Sequence, residues 1–314
     1  MKSKGERVTH HSALRGARLF FGLILVLTAL TTLGISRPMP VSAATIECAP
    51  PASPPAAAAA TTTPAVTASP VAFPENGGEL TVFAAASLTD AFGQIKTDLE
   101  AANPGLTITY NFAGSQALVT QMEEGADADV FASANATQMK NANDKGLITG
   151  PSSVFVQNSL TLIVPSDNPA GITNFADLAK DGVKIDLAAE DVPAGQYARQ
   201  SFCLAGADAV TYGEGFVEAV GNNVVSEEDN VRAVVTKVST GEADAGIVYV
   251  TDVAGDLSEG AQSIGIPAAV NVIAQYPMAA VTGGDAPLAQ AFIEYVLGPD
   301  GQATLQSFGF RPKP

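Results

Sequence analysis

Histidine is almost missing from this 314-residue chain: it has two, His10 and His11, both near the N-terminus. Everything after residue 11 therefore lacks the side chain whose ordinary pKa lies nearest neutrality, which excludes histidine-based acid–base or nucleophilic chemistry. Cysteine is equally scarce, with only Cys48 and Cys203. Two cysteines without a histidine cannot supply the ligand set of a Cys/His zinc site. Cys48 falls in a linker-like stretch and Cys203 in a helical pattern, so local context predicts no disulfide between them. Cys203 is expected to be an ordinary buried thiol. Basic residues are the third shortage, 16 against 32 acidic ones. Six of them (Lys2, Lys4, Arg7, Arg15, Arg18 and Arg37) precede residue 44, together with one acid, Glu6. The remainder holds ten basic and thirty-one acidic residues, a net charge of -21. Such a body is a poor nucleic-acid binder, because phosphates require clustered Lys and Arg. Nor can it draw in an anion with a general positive field. Any anion must be held by local dipoles.

What is present is apolar: 46% hydrophobic residues against 15% charged, ample for a packed core, in a length that suggests two domains or lobes. The basic residues of 1–18 are followed by an apolar and small-residue run over 19–35, and Val41, Ser42 and Ala43 offer the small residues a signal peptidase requires. Residues 1–43 thus read as a secretory signal peptide, with a retained anchor as the rival because 17 residues approach the length of a spanning helix. Residues 44–78 read as a Pro/Ala/Thr-rich linker, including Pro50, Pro51, Pro54, Pro55, Pro64 and Pro70, that favours an extended spacer and suggests a membrane or wall tether. Cys48 would be its natural lipid acceptor, but Thr45-Ile46-Glu47 lacks the small residue that precedes a lipidated cysteine.

From residue 79 the texture becomes α/β. Strands are expected at 80–85, 106–112, 129–132, 160–164, 184–188, 245–249 and 276–281, and helices at 88–99, 117–124, 137–145, 175–179, 197–204, 231–239 and 288–297. Alternation of this kind predicts mainly parallel sheet flanked by helices. In such sheets ligands lie beyond the carboxyl ends of strands, where helix N-termini converge. Four junctions fall there, carrying Ser87, Ser115, the Pro193-Ala194-Gly195 turn and Asn230-Val231, with Tyr249 at a strand end. A helix start offers unpaired N–H groups and a partial positive charge, so it binds anions without Lys or Arg. Each element alone has a plainer meaning: either serine could be an N-cap, Asn230 a cap, and Tyr249 packing. Gly195 would let backbone approach a ligand closely.

Several segments resemble the molybdate-binding proteins that feed bacterial ABC importers. They are LTVFAAASLTDAF at 80–92, NFAGS at 111–115, GADADVF at 125–131, DVPAG at 191–195 with Tyr197-Ala198, NVRA at 230–233, GEADAGIVY at 241–249 and Tyr276-Pro277. The resemblance implies a two-lobed periplasmic-binding-protein fold of type II with two crossover strands, one lobe formed by 79–157 and 276–314 and the other by 158–275. It implies oxyanion contacts from Ser87 and Ser115 on one lobe, and from the backbone N–H groups of Ala194 and Val231 and the Tyr249 phenol on the other. It also implies no catalysis, no cofactor beyond the ligand molybdate or tungstate, no direct metal ligands, an importer permease as partner, and a monomer that is periplasmic or tethered to the surface.

Three rivals stand beside it. The same fold could hold sulfate, a sugar acid or ferric ion, although iron would want tyrosine pairs and Tyr249 is the one tyrosine expected at the cleft. An enzyme could use Asp90 and Asp129, which read more simply as an early-helix acid and a loop acid. A surface-anchored adhesin would explain the spacer and bind no small ligand.

Overall fold

The computed structural model describes residues 45–48, 71–74, 76–253 and 259–314. The expected signal peptide and most of the expected linker lie outside the described residues. Among the described residues no helix is long and apolar enough to cross a membrane.

The first half alternates β1 (Gly78–Ala85), α1 (Thr89–Ala102), β2 (Leu106–Ala113), α2 (Ser115–Glu123), β3 (Val130–Ala132) and α3 (Ala136–Asp144). β1 is parallel to both β2 and β3 and is buried along most of its length, as a strand covered on both faces must be. α1 buries Ala91, Phe92, Ile95 and Leu99, the single stripe that its 3.6-residue period allows. A long strand, β4 (Ile148–Pro165), then leaves this half of the molecule.

The second half contains β5 (Ile185–Ala188), α4 (Pro193–Gly206), α5 (Ala209–Tyr212), α6 (Phe216–Asn223), β6 (Val224–Glu228), α7 (Val231–Ser239), β7 (Ala245–Tyr249) and β8 (Ala261–Gly265). β5 is parallel to β6 and β7. β9 (Ile273–Val281) returns to the first half, where α8 (Ala286–Leu297) and α9 (Pro299–Ser307) close the chain. The strand order is β2-β1-β3-β9-β4-β7-β5-β6, with β8 on β4. Each half is therefore a parallel trio, and the antiparallel pairs all involve β4 or β9. These two strands make the crossover: β4 pairs with β9 up to Ser159 and with β7 and β8 from Leu160. The expected strand at 160–164 is only the far end of β4. Its earlier part contains Gly150 and Pro151, which read as a break, yet the strand passes them through register shifts between Thr149 and Ser153 and between Val154 and Val156.

Each half has its own aromatic core, Phe92 with Tyr110, Phe155 and Phe292 in one and Phe175 with Phe202 and Phe216 in the other.

One expectation fails outright. Cys48 and Cys203 form a disulfide, so Cys203 is not a free thiol. Ile46, Val71 and Phe73 also pack against the core, so both described flanks of the linker are docked on the folded body. Local context misjudged the pair because a disulfide depends on proximity in space, and folding brings the two Cα atoms to 5.5 Å. In this state the Cys48 sulfur is not available to a lipid, and a tether would have to begin before Ile46.

Candidate functional site

The carboxyl ends of β1, β2 and β7 and the starts of α2, α4 and α7 line one small cavity. Ser87, Ser115, Ala194, Val231 and Tyr249 all line it. Residues separated by up to 162 positions are thus brought to one space, together with Gly114, Ala134 and Asn230. No lysine or arginine is among the lining residues, and among the described residues no His, Cys, Asp and Glu cluster is placed to hold a metal ion.

The two serines are not helix caps. Ser87 lies in the 3-10 turn Ala86–Leu88, and its hydroxyl is 2.9 Å from the Tyr276 hydroxyl. Ser115 opens α2 behind an N-cap glycine, and its Oγ accepts the Ala134 N–H at 3.0 Å. Both hydroxyls are buried. Asn230, by contrast, is a true cap: its Oδ1 accepts the N–H groups of Arg232 and Ala233 but leaves that of Val231, the first residue of α7. α4 starts differently. Val192 provides no side-chain cap and Pro193 has no N–H, so Ala194 presents the first backbone donor of that helix.

Gly195 does not line the cavity. A Cβ there would meet the Ala188 and Ala189 carbonyl oxygens at 2.3 and 2.1 Å, so the glycine lets α4 close onto the end of β5 rather than admitting a ligand. Arg199 reinforces that joint by donating to the Ala188 and Gly195 carbonyls and pairing with Glu227. Gly114 meets the other half of the molecule, since a Cβ would stand 2.3 Å from the Asp229 carbonyl oxygen.

Tyr249 is fully buried and its hydroxyl has no hydrogen-bond partner that meets ordinary geometry. Burial pushes its pKa well above the ordinary tyrosine value, as it does for Tyr276, whose ring crosses it edge-on at 5.7 Å. Both phenols therefore stay protonated. Tyr249 is the one tyrosine among the described residues that line the cavity, and Tyr276 packs against it without lining it. Asp252 is buried next to them: its Oδ2 accepts the Tyr249 N–H at 3.0 Å. Burial raises its pKa to about 7, against the opposing pull of that N–H and of Arg232.

Four polar contacts join the two halves around the cavity. Arg232 pairs with Asp90 at 3.0 and 3.4 Å, Gln116 donates to the Asp229 carbonyl, Asn135 to Gln196, and Gln138 to the Asp191 carbonyl. Asp90 is the expected acid in the first turn of α1 and also half of a cross-cleft ion pair. Sequence reasoning missed these side chains because none lies in a recognisable spacing with its partner. Asp129 is spent on structure, accepting the N–H groups of Thr81 and Asp285.

Comparison with known proteins identifies the family. Residues 80–311 match the family described as bacterial extracellular solute-binding protein. The molybdate-binding protein of Mycobacterium tuberculosis is 36% identical over 243 residues, covering 77% of this chain and 88% of that one. That of Escherichia coli is 32% identical over 244 residues, covering 75% and 90%. The solved periplasmic molybdate-binding protein of Azotobacter vinelandii superposes with a TM-score of 0.62 at 17% identity, covering 75% of this chain and all of that one, a likeness of fold.

Proposed function

Because this chain belongs to the bacterial extracellular solute-binding proteins, a class that binds rather than catalyses, we propose that it captures a tetrahedral oxyanion, molybdate or tungstate, and hands it to the permease of an ABC importer. The observation that carries this reading is the convergence of Ser87, Ser115, Ala194, Val231 and Tyr249 on one cavity. Two hydroxyls, two backbone N–H groups at helix starts and a protonated phenol are all neutral donors. Donors of this kind suit an anion with no proton of its own, and a net charge of -21 need not oppose them, because repulsion from distant carboxylates is screened beyond about 8 Å at physiological salt. The relatives in Mycobacterium tuberculosis and Escherichia coli that are named for molybdate support the choice of anion. No cofactor or directly ligated metal is required, since the metal arrives inside its oxygen shell.

Capture proceeds by docking on one lobe, 79–157 with 276–314, and closure of the other, 158–275, about β4 and β9. The four cross-cleft contacts hold the closed form, so ligand and contacts together shift the population toward it. The protein acts outside the cytoplasm as a monomer, in the periplasm or held near the surface by its N-terminal leader.

Calorimetric titration of the full chain with molybdate, tungstate, sulfate and phosphate tests the reading. Tight binding of molybdate and tungstate is expected. Heat with none of the four would remove the oxyanion assignment, whereas sulfate bound as tightly as molybdate would remove only the choice of anion.

A further inference from the structure

The hydroxyl of Ser87 is not free to turn. Its neighbour on the side away from the cavity is Tyr276 on β9, at 2.9 Å, and behind Tyr276 stands Asn158 on β4. Asn158 is completely buried, and its Oδ1 accepts the Ser159 N–H at 2.9 Å. That bond fixes the amide, so its Nδ2 points inward and donates to the Thr251 hydroxyl at 2.9 Å and toward the Tyr276 hydroxyl at 3.5 Å. A neutral phenol has one proton. With Asn158 directed at its oxygen, Tyr276 can give that proton to Ser87, whose own proton then turns to the cavity. Ser115 reaches the same polarity by a shorter route, because its Oγ already accepts the Ala134 N–H. Both serines that line the cavity thus have a polar partner away from it, the Tyr276 hydroxyl for Ser87 and the Ala134 N–H for Ser115.

We infer that Asn158 and Tyr276, one on each crossover strand, are specificity-determining residues that hold Ser87 as a donor, so that the cavity takes fully deprotonated oxyanions and rejects those that carry a proton. The inference rests on the oxyanion reading above and adds residues that do not touch the ligand. A hydrogen phosphate ion must place its proton on an acceptor. A serine free to rotate could serve, but a serine locked by this relay serves only by breaking it.

The test is titration of the full chain and of the variants Tyr276→Phe, Asn158→Leu and Asn158→Asp with molybdate and, by competition, inorganic phosphate, with thermal unfolding of each. Tyr276→Phe and Asn158→Leu are expected to weaken molybdate about tenfold and phosphate less, which narrows the ratio of the two affinities. Asn158→Asp presents acceptors in place of a donor, turns the relay round, and should narrow the ratio further. Variants with the wild-type unfolding temperature that keep the ratio, or lose both anions by one factor, overturn the inference. Should the Asn158 variants fail to fold, Tyr276→Phe removes a single oxygen and decides alone. A wild-type protein that binds neither anion is a different failure, that of the site assignment itself.

Discussion

β1 runs between two hollows. Near its start, Thr81 borders a wider one of about 420 Å³ that also takes in Asp127, Asp129 and Asp285. At its end, Ala85 borders the small cavity that the serines line. The larger space is acidic and the smaller is neutral. Size therefore says little about which one holds an anion, and strand direction says much. Parallel strands deliver helix starts, with their free N–H groups, to their carboxyl ends, and carboxylates gather at the other end, where Asp129 ties Thr81 to Asp285.

The strongest way to break this comparison is to remove both hydroxyls. Ser87→Ala with Ser115→Ala should cost roughly 3–6 kcal/mol of molybdate affinity, on the scale of two hydrogen bonds to a charged group. Asp127→Asn in the wide hollow should cost nothing. Calorimetry that finds the reverse would exchange the roles of the two hollows. Next in size is the disulfide. Cys203 lies on α4, whose first turn lines the cavity, and Cys48 pins the N-terminal flank to that helix. Cys48→Ser with Cys203→Ser should lower unfolding stability by roughly 2–5 kcal/mol, measured in denaturant under oxidising conditions. An unchanged midpoint would mean the bridge constrains nothing.

Closure comes third. Gly114→Ala sets a methyl against the Asp229 carbonyl across the cleft. It should weaken molybdate about tenfold, an effect in the range of one tight steric contact, while leaving the unfolding midpoint near wild type. An undiminished affinity would show that the halves need not meet there. The last test is pH. Asp186 is raised to about 8 by burial and by the neighbouring Glu228, against the pull of Lys237, and Asp252 is raised to about 7, chiefly by burial. Between about pH 4 and these values the folded protein binds more protons than the unfolded chain, so stability should fall as pH rises through that window. Asp252→Asn should flatten the slope. Stability that rises over the same range would contradict the assignment.

Much of the fold was readable from hydrophobic period alone. The buried stripe Phe92, Ile95 and Leu99 marked α1, and the apolar run Ala245–Tyr249 marked β7. The edge strands β6 and β8 were not, because Val225, Glu227 and the exposed face of β8 lack the apolar alternation that betrays a strand. The five site residues were legible because each stands where a strand turns into a helix or ends. Asn158, Tyr276 and Arg232 were not legible as parts of the site, since their roles depend on partners more than 100 residues away in sequence.

Composition alone required that any anion be held by neutral dipoles, because the body has no histidine and an excess of carboxylates. Sequence also marked Val231 as the start of α7, because the Asn230 cap is local. Packing across the fold set the rest: Cys48 meets Cys203, Gly195 serves packing, and the Ser87 hydroxyl is backed by Tyr276 and Asn158. Those outcomes depend on distances between segments far apart in the chain, which no local pattern encodes.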